Sequence, residues 1–298
     1  MISNSLVSYL FKALRSLGNT LSIGGRLRLP QSILRRAFRM VPYEITVPDF
    51  DGVYRMRLRL SEHMQRRIFW MGYYSADVVV LLKRMLKPGM VVVDVGANIG
   101  EVTLVSAQCV GNAGSVIAFE PVNVIANRLA EHVRINNLEQ VVIIRDALGA
   151  AIEKRVPIYT SCGQEVSDEH QGLASLYAKD KDQEPIEFVN ITTLDETVAS
   201  LCLPRVDLIK IDIEGGELAC LQGAESVLRR FRPMLIVEIQ AFSARQAGWD
   251  VSELFQYLHG LGYEFFTVGP RGRLTGLKLE ALAEFQNVFC QVRDALSE

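Results

Sequence analysis

Residues 91–104 read VVVDVGANIGEVTL, and this stretch decides the fold of the chain. Its β-branched run, followed by an Asp-x-Gly-x-Asn-x-Gly turn and further apolar residues, predicts a buried parallel strand, a tight turn and a helix. Gly96 and Gly100 allow the backbone to approach a ligand closely. The start of the helix adds unpaired N–H groups and the positive end of the helix dipole. We therefore expect a polar or anionic ligand at this turn.

Acidic residues end three successive predicted strands. Asp94 lies in the first strand, Glu120 follows the apolar run 115–119, and Asp146 falls in a strand predicted over 141–149. Single helices separate these strands, which predicts a mostly parallel α/β sheet with ligands at the carboxyl ends of its strands. One such acid alone is equally typical of a helix N-cap. Three together predict a nucleoside site in which Glu120 binds ribose hydroxyls.

Charged residues also interrupt a central strand predicted over residues 208–215, which read LIKIDIEG. Lys210 and Asp212 point to the same face, although a central parallel strand is expected to be apolar on both faces. Burying charge is costly unless it is paired, so these residues indicate either an ion pair or a site. Glu238 on the next predicted strand is the candidate partner of Lys210. Asp212, nearer the carboxyl end, is the better candidate for chemistry.

The composition indicates one large α/β core in a chain of 298 residues with 49% hydrophobic residues. Its apolar stretches are too short for a membrane span, and the apolar run 6–11 lacks the features of a secretory signal. The five cysteines are scattered without a Cys-x-x-Cys pair, which favours a reducing cytoplasm. No clustered histidines or carboxylates are visible in the sequence, so we expect no metal.

The N-terminal region differs from the rest in charge. Residues 1–47 carry seven basic residues against Glu44 alone, although the whole chain has a net charge of −2. We predict a basic extension over residues 1–60, with two helices and a hairpin at 43–60, before a main domain over 61–298. The helices either contact an anionic membrane or a partner, or pack on their own domain. They lack the aromatic residues that would indicate nucleic-acid binding.

The rest of the chain completes the predicted sheet. Residues 150–193 break the strand–helix alternation and predict an inserted hairpin near the ligand edge. A helix over 217–230 and another over 250–260 follow the central strand. Strands over 263–268 and 284–292 are expected to form an antiparallel pair that closes one edge of the sheet.

Several segments together resemble the FkbM-type methyltransferases. The resemblance covers roughly residues 70–240 in one order with fitting spacing, and its segments are VDVGANIG at 93–100, FEP at 119–121, ALG at 147–149, TTLD at 192–195, DLIKIDIEG at 207–215 with Glu217, and Pro233 leading to Glu238. It implies a Rossmann-like, seven-stranded class I methyltransferase fold with an antiparallel final strand. It also implies S-adenosylmethionine as cofactor and transfer to a hydroxyl of a sugar, a glycan or a small secondary metabolite.

The resemblance assigns roles to residues at their positions in this chain. The cofactor contacts that it implies are Asp94, Gly96, Asn98, Gly100, Glu120, Asp146 and Ala147. On the acceptor side we expect Asp212 to be the base or the group that orients the acceptor, with Lys210 and Glu238 supporting it.

Two other functions remain open at this point. An NAD-dependent oxidoreductase also combines a glycine-rich turn with an acidic residue, although its fingerprint is Gly-x-Gly-x-x-Gly and here Val95 and Ala97 flank the single Gly96. The other alternative is a noncatalytic domain that retains the cofactor fold. The sequence does not identify the acceptor, because fold and cofactor site do not specify it.

Overall fold

The structure is a computed structural model. It describes residues 43–161, 174–178, 182–278 and 282–293. Within these residues the chain divides into two compact units, one up to Ala76 and one beginning at Asp77. The predicted basic helices at 6–17 and 31–40 lie outside the described residues. Their membrane contact and the predicted domain boundary after residue 60 therefore stay predictions. None of the described helices is long and apolar enough to cross a membrane.

The first unit contains the predicted hairpin, formed by β1 (Glu44–Phe50) and β2 (Tyr54–Arg59), and the helix α1 (His63–Met71). Alternate residues of both strands are buried, as the period-2 pattern predicts. The sequence predicts the hairpin turn over residues 48–52, but the first strand continues through Pro48 to Phe50, so the turn begins later. The pairing is irregular between Val47 and Phe50, which accommodates a proline that cannot donate to the ladder.

The second unit holds the main sheet and its helices. Its strands are β3 (Val91–Val95), β4 (Ser115–Phe119), β5 (Val141–Ile144), β6 (Ala147–Leu148), β7 (Glu153–Thr160), β8 (Ala174–Ser175), β9 (Glu187–Thr192), β10 (Leu208–Ile211), β11 (Met234–Gln240), β12 (Tyr263–Gly269), β13 (Arg273–Gly276) and β14 (Phe285–Val292). Its helices are α2 (Ala76–Met85, which begins at the unit boundary), α3 (Glu101–Val110), α4 (Asn123–Ile135), α5 (Leu194–Ser200), α6 (Glu217–Gln222), α7 (Glu225–Phe231), α8 (Ala241–Gln246) and α9 (Val251–Gly260).

The main sheet is a Rossmann-like α/β sheet of eight described strands in the order β13-β12-β14-β11-β10-β3-β4-β5. Neighbours from β11 to β5 run parallel, and β14 runs antiparallel between β11 and β12. Seven of these strands, from β12 to β5, form the mostly parallel sheet with an antiparallel final strand that the resemblance implies, and β13 extends the edge. The central strands are buried on both faces, which explains the continuous apolar run of β3. The fold class expected from the sequence is confirmed.

The predicted antiparallel pair of the last two strands is confirmed, and one further strand lies outside it. β12 pairs antiparallel with β14, and β14 also pairs antiparallel with β11. Val288, Phe289 and Cys290 of β14 are fully buried. The pair does not itself close the edge of the sheet, because β13 forms a hairpin with β12 and is the edge strand.

Two predicted elements are each divided in the structure. The helix expected over 217–230 breaks into α6 and α7 at Gly223, where a Cβ atom would lie 2.0 Å from the carbonyl oxygen of Gly149. The strand expected over 141–149 ends as β5 at Ile144. The two residues of β6 pair with β9 in a separate four-stranded sheet of order β6-β9-β7-β8, which contains the predicted inserted hairpin.

Gly96 in the turn after β3 is required by both its conformation and its surroundings. Its φ is 76°, in the left-handed region, and a Cβ atom there would lie 2.0 Å from the carbonyl oxygen of Asp212. Gly89, just before β3, has a similar φ of 85° but no atom within 4 Å of a Cβ position. Substitutions at these two positions therefore distinguish the cost of a left-handed backbone, which both share, from the cost of steric overlap, which arises only at position 96.

We expect Gly96→Ala to destabilise the chain by at least about 3 kcal/mol, since it adds a backbone clash to the strain. Gly89→Ala, the matched control, is expected to lose about 1 kcal/mol from strain alone. Urea unfolding followed by circular dichroism measures both changes. Equal losses in the two variants would show that the approach of Asp212 does not constrain position 96.

Candidate functional site

Three predicted acidic residues lie at the carboxyl ends of adjacent strands. Asp94 is in β3, Glu120 follows β4 directly, and Asp146 comes two residues after β5. These strands are parallel neighbours in the order β3-β4-β5, so the three residues lie at one edge of the sheet. This is the edge where ligands bind in open α/β sheets.

Asp94 is fully buried, with 0% of its surface exposed. Its Oδ2 atom accepts a hydrogen bond of 2.6 Å from the Thr103 hydroxyl. Its Oδ1 atom is also buried but has no hydrogen-bond partner among the described residues. Burial raises the pKa of the carboxyl group, and the nearby Lys210 opposes that rise. A ligand that donates a hydrogen bond to Oδ1 would satisfy the unused acceptor.

Glu120 joins the turns that follow β3 and β4. Its two carboxylate oxygens accept the backbone N–H groups of Asn98 at 2.9 Å and of Val122 at 3.0 Å. Burial raises its pKa to about 7, against the effect of these two hydrogen bonds. Asn98 has a φ of 51°, a left-handed conformation that asparagine tolerates better than most residues. Each oxygen of Glu120 keeps one further acceptor site, so this structural role leaves room for ligand hydroxyls.

The two glycines of the turn do not expose backbone in the way that the sequence suggests. Gly96 packs against the carbonyl group of Asp212, and its N–H donates to Phe119. Gly100 packs against side-chain atoms of Leu129, at 2.6 Å from a Cβ position, and of Leu104. The close approaches that these glycines permit are therefore within the protein. The cofactor contacts assigned to them stay predictions.

Asp146 and Ala147 lie where the main sheet leads into the four-stranded sheet. Asp146 is half-buried, and its Oδ1 atom has a long contact of 3.5 Å with the Asn190 amide. Ala147 is buried in β6 and pairs with Ile191. Both residues are near the end of β5, as the assigned site requires.

Lys210, Asp212 and Glu238 come together beside this edge. Lys210 is 7% exposed, and its Nζ atom lies 2.9 Å from Oδ2 of Asp212. The predicted ion pair between Lys210 and Glu238 is replaced by this one, because residues two apart on a strand share a face. Burial raises the pKa of Asp212, but the charge of Lys210 together with hydrogen bonds from Glu238 and Lys210 holds that pKa below its usual range. Burial and the charge of Asp212 raise the pKa of Glu238 well above its usual range.

Sequence reasoning missed the carboxylate cluster. Ligand-type oxygens of Asp212, Glu214 and Glu238 all lie within 4.8 Å of one another, so the expectation that no carboxylates are clustered is wrong. The Lys210 ammonium already supplies positive charge to this cluster. The absence of a metal stays a prediction. The visible signal was the Glu-Gly-Gly-Glu sequence at 214–217, where a strand end carries two acids around a flexible turn.

Comparison with known families and proteins agrees with this geometry. The family described as "Methyltransferase FkbM domain" matches residues 94–265. The chain is 30% identical over 166 residues to the hexuronic acid methyltransferase AglP of Haloferax volcanii, which covers 55% of this chain and 62% of AglP. It is 25% identical over 223 residues to the AMB antimetabolite synthetase AmbE of Pseudomonas aeruginosa, covering 66% of this chain and 10% of AmbE. The chain thus spans less than two thirds of the length of each of these curated relatives.

One similar solved structure is that of a methyltransferase FkbM from Methylobacillus flagellatus. Its TM-score is 0.45 with 15% sequence identity, over 77% of this chain and 54% of that chain.

The buried Lys210 predicts a stability that depends on pH. In Lys210→Met, Asp94 and Asp212 lose their positive neighbour, so we expect a loss of about 3–5 kcal/mol at pH 8. Without Lys210, the pKa values of Asp94 and Asp212 in the folded state would exceed those in the unfolded state. The free energy of unfolding of the variant is therefore lost as the pH rises through the folded-state pKa. The loss relative to wild type is expected to be smaller at pH 5 than at pH 8.

The matched control is Arg205→Met, which removes an exposed arginine from an ion pair of the same spacing, to Asp207. It should change the free energy of unfolding by less than about 1 kcal/mol at either pH. Urea unfolding of both variants at pH 5 and pH 8 provides the comparison. A deficit in Lys210→Met that is equal at the two pH values would contradict the assignment of Lys210 as the counter-charge.

Proposed function

We propose, from the premise that the chain belongs to the FkbM methyltransferase family, that it transfers the methyl group of S-adenosylmethionine to a hydroxyl group of a sugar or small metabolite. Membership of the family supports methyltransferase activity for the chain. The activity, the cofactor, the hydroxyl acceptor and the residue roles together form the proposal. The observation that carries them is the row of acids at the ends of β3, β4 and β5 beside the carboxylate cluster.

The residues at the sheet edge fit S-adenosylmethionine. The buried Oδ1 atom of Asp94 lacks a partner among the described residues, and a cationic or N–H donor of the cofactor would supply one. Glu120 keeps acceptor capacity for ribose hydroxyls after binding Asn98 and Val122. Asp146 and Ala147 extend the same edge toward β6. The cofactor, when bound, supplies a methyl group activated by its positive sulfur.

The carboxylate cluster favours a neutral hydroxyl acceptor. A hydroxyl donates a hydrogen bond to an ionised carboxylate such as Asp212, whereas an acceptor carboxylate would be repelled by it. A hydroxyl is a weak nucleophile, so a positioned base adds roughly 10²–10⁴-fold to the rate. We propose that Asp212 holds the acceptor as base or orienting group. Lys210 keeps it ionised, and Glu238 donates a hydrogen bond to it.

The printed name of AglP, a hexuronic acid methyltransferase, supports a sugar acceptor. Hexuronic acids carry both hydroxyl and carboxyl groups, and the proposal commits to the hydroxyl. Methylation of the hydroxyl gives a methyl ether and methylation of the carboxyl group gives a methyl ester. The product therefore shows which of the two groups is methylated.

The proposed cofactor is tested by calorimetry with S-adenosylmethionine, S-adenosylhomocysteine and NAD. Wild type should bind the first two, and Glu120→Ala should weaken that binding at least about tenfold because it removes charge-assisted hydrogen bonds. Glu139→Ala, an exposed acid just before β5, is the control and should bind normally. Heat with NAD but none with S-adenosylmethionine or S-adenosylhomocysteine would reject the cofactor and favour the oxidoreductase alternative.

The proposed acceptor is tested with methyl-labelled S-adenosylmethionine and a panel of glucuronic acid, its methyl glycoside and neutral hexoses. We expect an alkali-stable methyl ether as product. Asp212→Asn should reduce turnover at least about a hundredfold while cofactor affinity stays within a fewfold. An alkali-labile ester would overturn the hydroxyl acceptor, and normal turnover in the variant would remove Asp212 from the mechanism.

A further inference from the structure

Glu214 follows β10 in a strained conformation. Its φ is 53°, a left-handed value that a residue other than glycine adopts only at a cost in free energy. Gly215, the next residue, has a φ of 106°, and a Cβ atom there would lie 2.7 Å from the carbonyl oxygen of Ser243. The chain thus turns sharply at the ligand edge of the sheet with glutamate, rather than glycine, at the first left-handed position. Strain of this kind is typical of functional sites.

The surrounding structure holds this turn from several sides. The buried Glu217 carboxylate accepts the N–H groups of Ile213 at 3.2 Å and Gly215 at 3.1 Å. Trp249 donates its indole N–H to the carbonyl oxygen of Gly215 at 2.7 Å. Ser175 of β8 donates to the carbonyl oxygen of Glu214 at 2.8 Å. The turn is therefore fixed by hydrogen bonds to its backbone atoms, and none of these bonds uses the carboxyl group of Glu214.

The Glu214 carboxyl group is only partly satisfied. The hydroxyl groups of Ser161 and Ser243 lie 3.3 Å and 3.1 Å from Oε2, and Ser243 also contacts Gln240. No described residue donates a hydrogen bond to Oε1 of Glu214. The group is half-buried, so one oxygen is held in place by hydroxyl groups while the other remains available.

Glu214 and Asp212 differ in basicity because Lys210 neutralises them unequally. Lys210 lies 2.9 Å from Asp212 and lowers the pKa of that carboxyl group, which makes it a weak base. Burial and the charge of Asp212 raise the pKa of Glu214 to about 7, opposed by Ser243, Ser161 and Lys210. Burial and the charge of Asp212 raise the pKa of Glu238 on β11, which also faces this cluster, well above its usual range. General bases work best with a pKa near the working pH.

We propose that Glu214 accepts the proton of the acceptor hydroxyl, while Asp212 orients that hydroxyl. The inference rests on the proposed function and deepens it. The O–H bond breaks, its proton bonds to Oε1 of Glu214, and its electron pair stays on the acceptor oxygen for the new bond to the methyl carbon. The bond between that carbon and the sulfur of the cofactor would break at the same time, and its electron pair would remain on sulfur. The carboxyl group then releases the proton to solvent. Glu214 is thus a further catalytic residue, and Ser161 and Ser243 are positioning residues for it.

The first test needs no acceptor. The chain is labelled with glutamate carrying ¹³C at the side-chain carboxyl carbon, saturated with S-adenosylhomocysteine and titrated by NMR. The signal missing in Glu214→Gln identifies the group, which should titrate with a midpoint of about 7. Ser243→Ala should move that midpoint to higher pH, because the hydroxyl stabilises the charged form. A midpoint near 4.5, or no shift in Ser243→Ala, would overturn the proposal.

The second test uses the acceptor identified by the labelled-methyl assay. Glu214→Gln keeps an oxygen that can accept from both serines, so the turn should be retained. Turnover at pH 7 should fall at least about a hundredfold, and the rise of rate between pH 6 and 8 should disappear. Ser243→Ala should displace that rise to higher pH. Glu225→Gln, an exposed acid on α7, is the matched control and should behave as wild type.

Different results would contradict the proposed function and the proposed role of Glu214. If wild type does not bind S-adenosylmethionine, the proposed function is rejected, whatever the role of Glu214. Normal turnover and an unchanged pH profile in Glu214→Gln would reject the role of Glu214 alone, with the methyltransferase activity intact. A variant that binds cofactor as wild type but has lost both turnover and the pH-dependent rise supports the role.

Discussion

The ammonium group of Lys210 is buried on β10, where the strand register sets it beside Asp94 of β3 and its side chain reaches Asp212. A buried charge is tolerated only when opposite charges and hydrogen bonds surround it. Here the requirement is met from two strands at once. The same charge therefore connects the part of the site assigned to the cofactor with the part assigned to the acceptor. The pKa of each carboxyl group depends on its distance from that charge.

The acids around Lys210 outnumber the positive charge that it supplies, so they cannot all be ionised together. Asp212, in direct contact with Lys210, has a lowered pKa, whereas the pKa of Glu238 is raised well above its usual range and that of Glu214 is raised to about 7. Three neighbouring carboxyl groups thus differ in pKa because their distances to one buried charge differ. Environments that push titratable groups apart in this way are characteristic of acid–base sites.

The predictable features were those encoded locally. The strand ends at Asp94 and Glu120 followed from β-branched runs that stop at an acid, and the sheet followed from the alternation of strands and helices. The break at Gly223 depends on the carbonyl group of Gly149, and the place of β14 depends on partners elsewhere in the chain. Such contacts leave no local signal. Glu214 was only a reserve candidate in the sequence, after Asp212, because its left-handed turn and the serines that hold it are set by tertiary structure.

The serines that surround Glu214 come from different parts of the chain, and two of them belong to the insertion. Ser161 follows β7 and Ser175 lies in β8, so the four-stranded sheet reaches both the side chain and the carbonyl group of Glu214. A change in the insertion that displaced either serine would therefore alter the surroundings of the Glu214 carboxyl group, although Glu214 itself follows β10 of the main sheet.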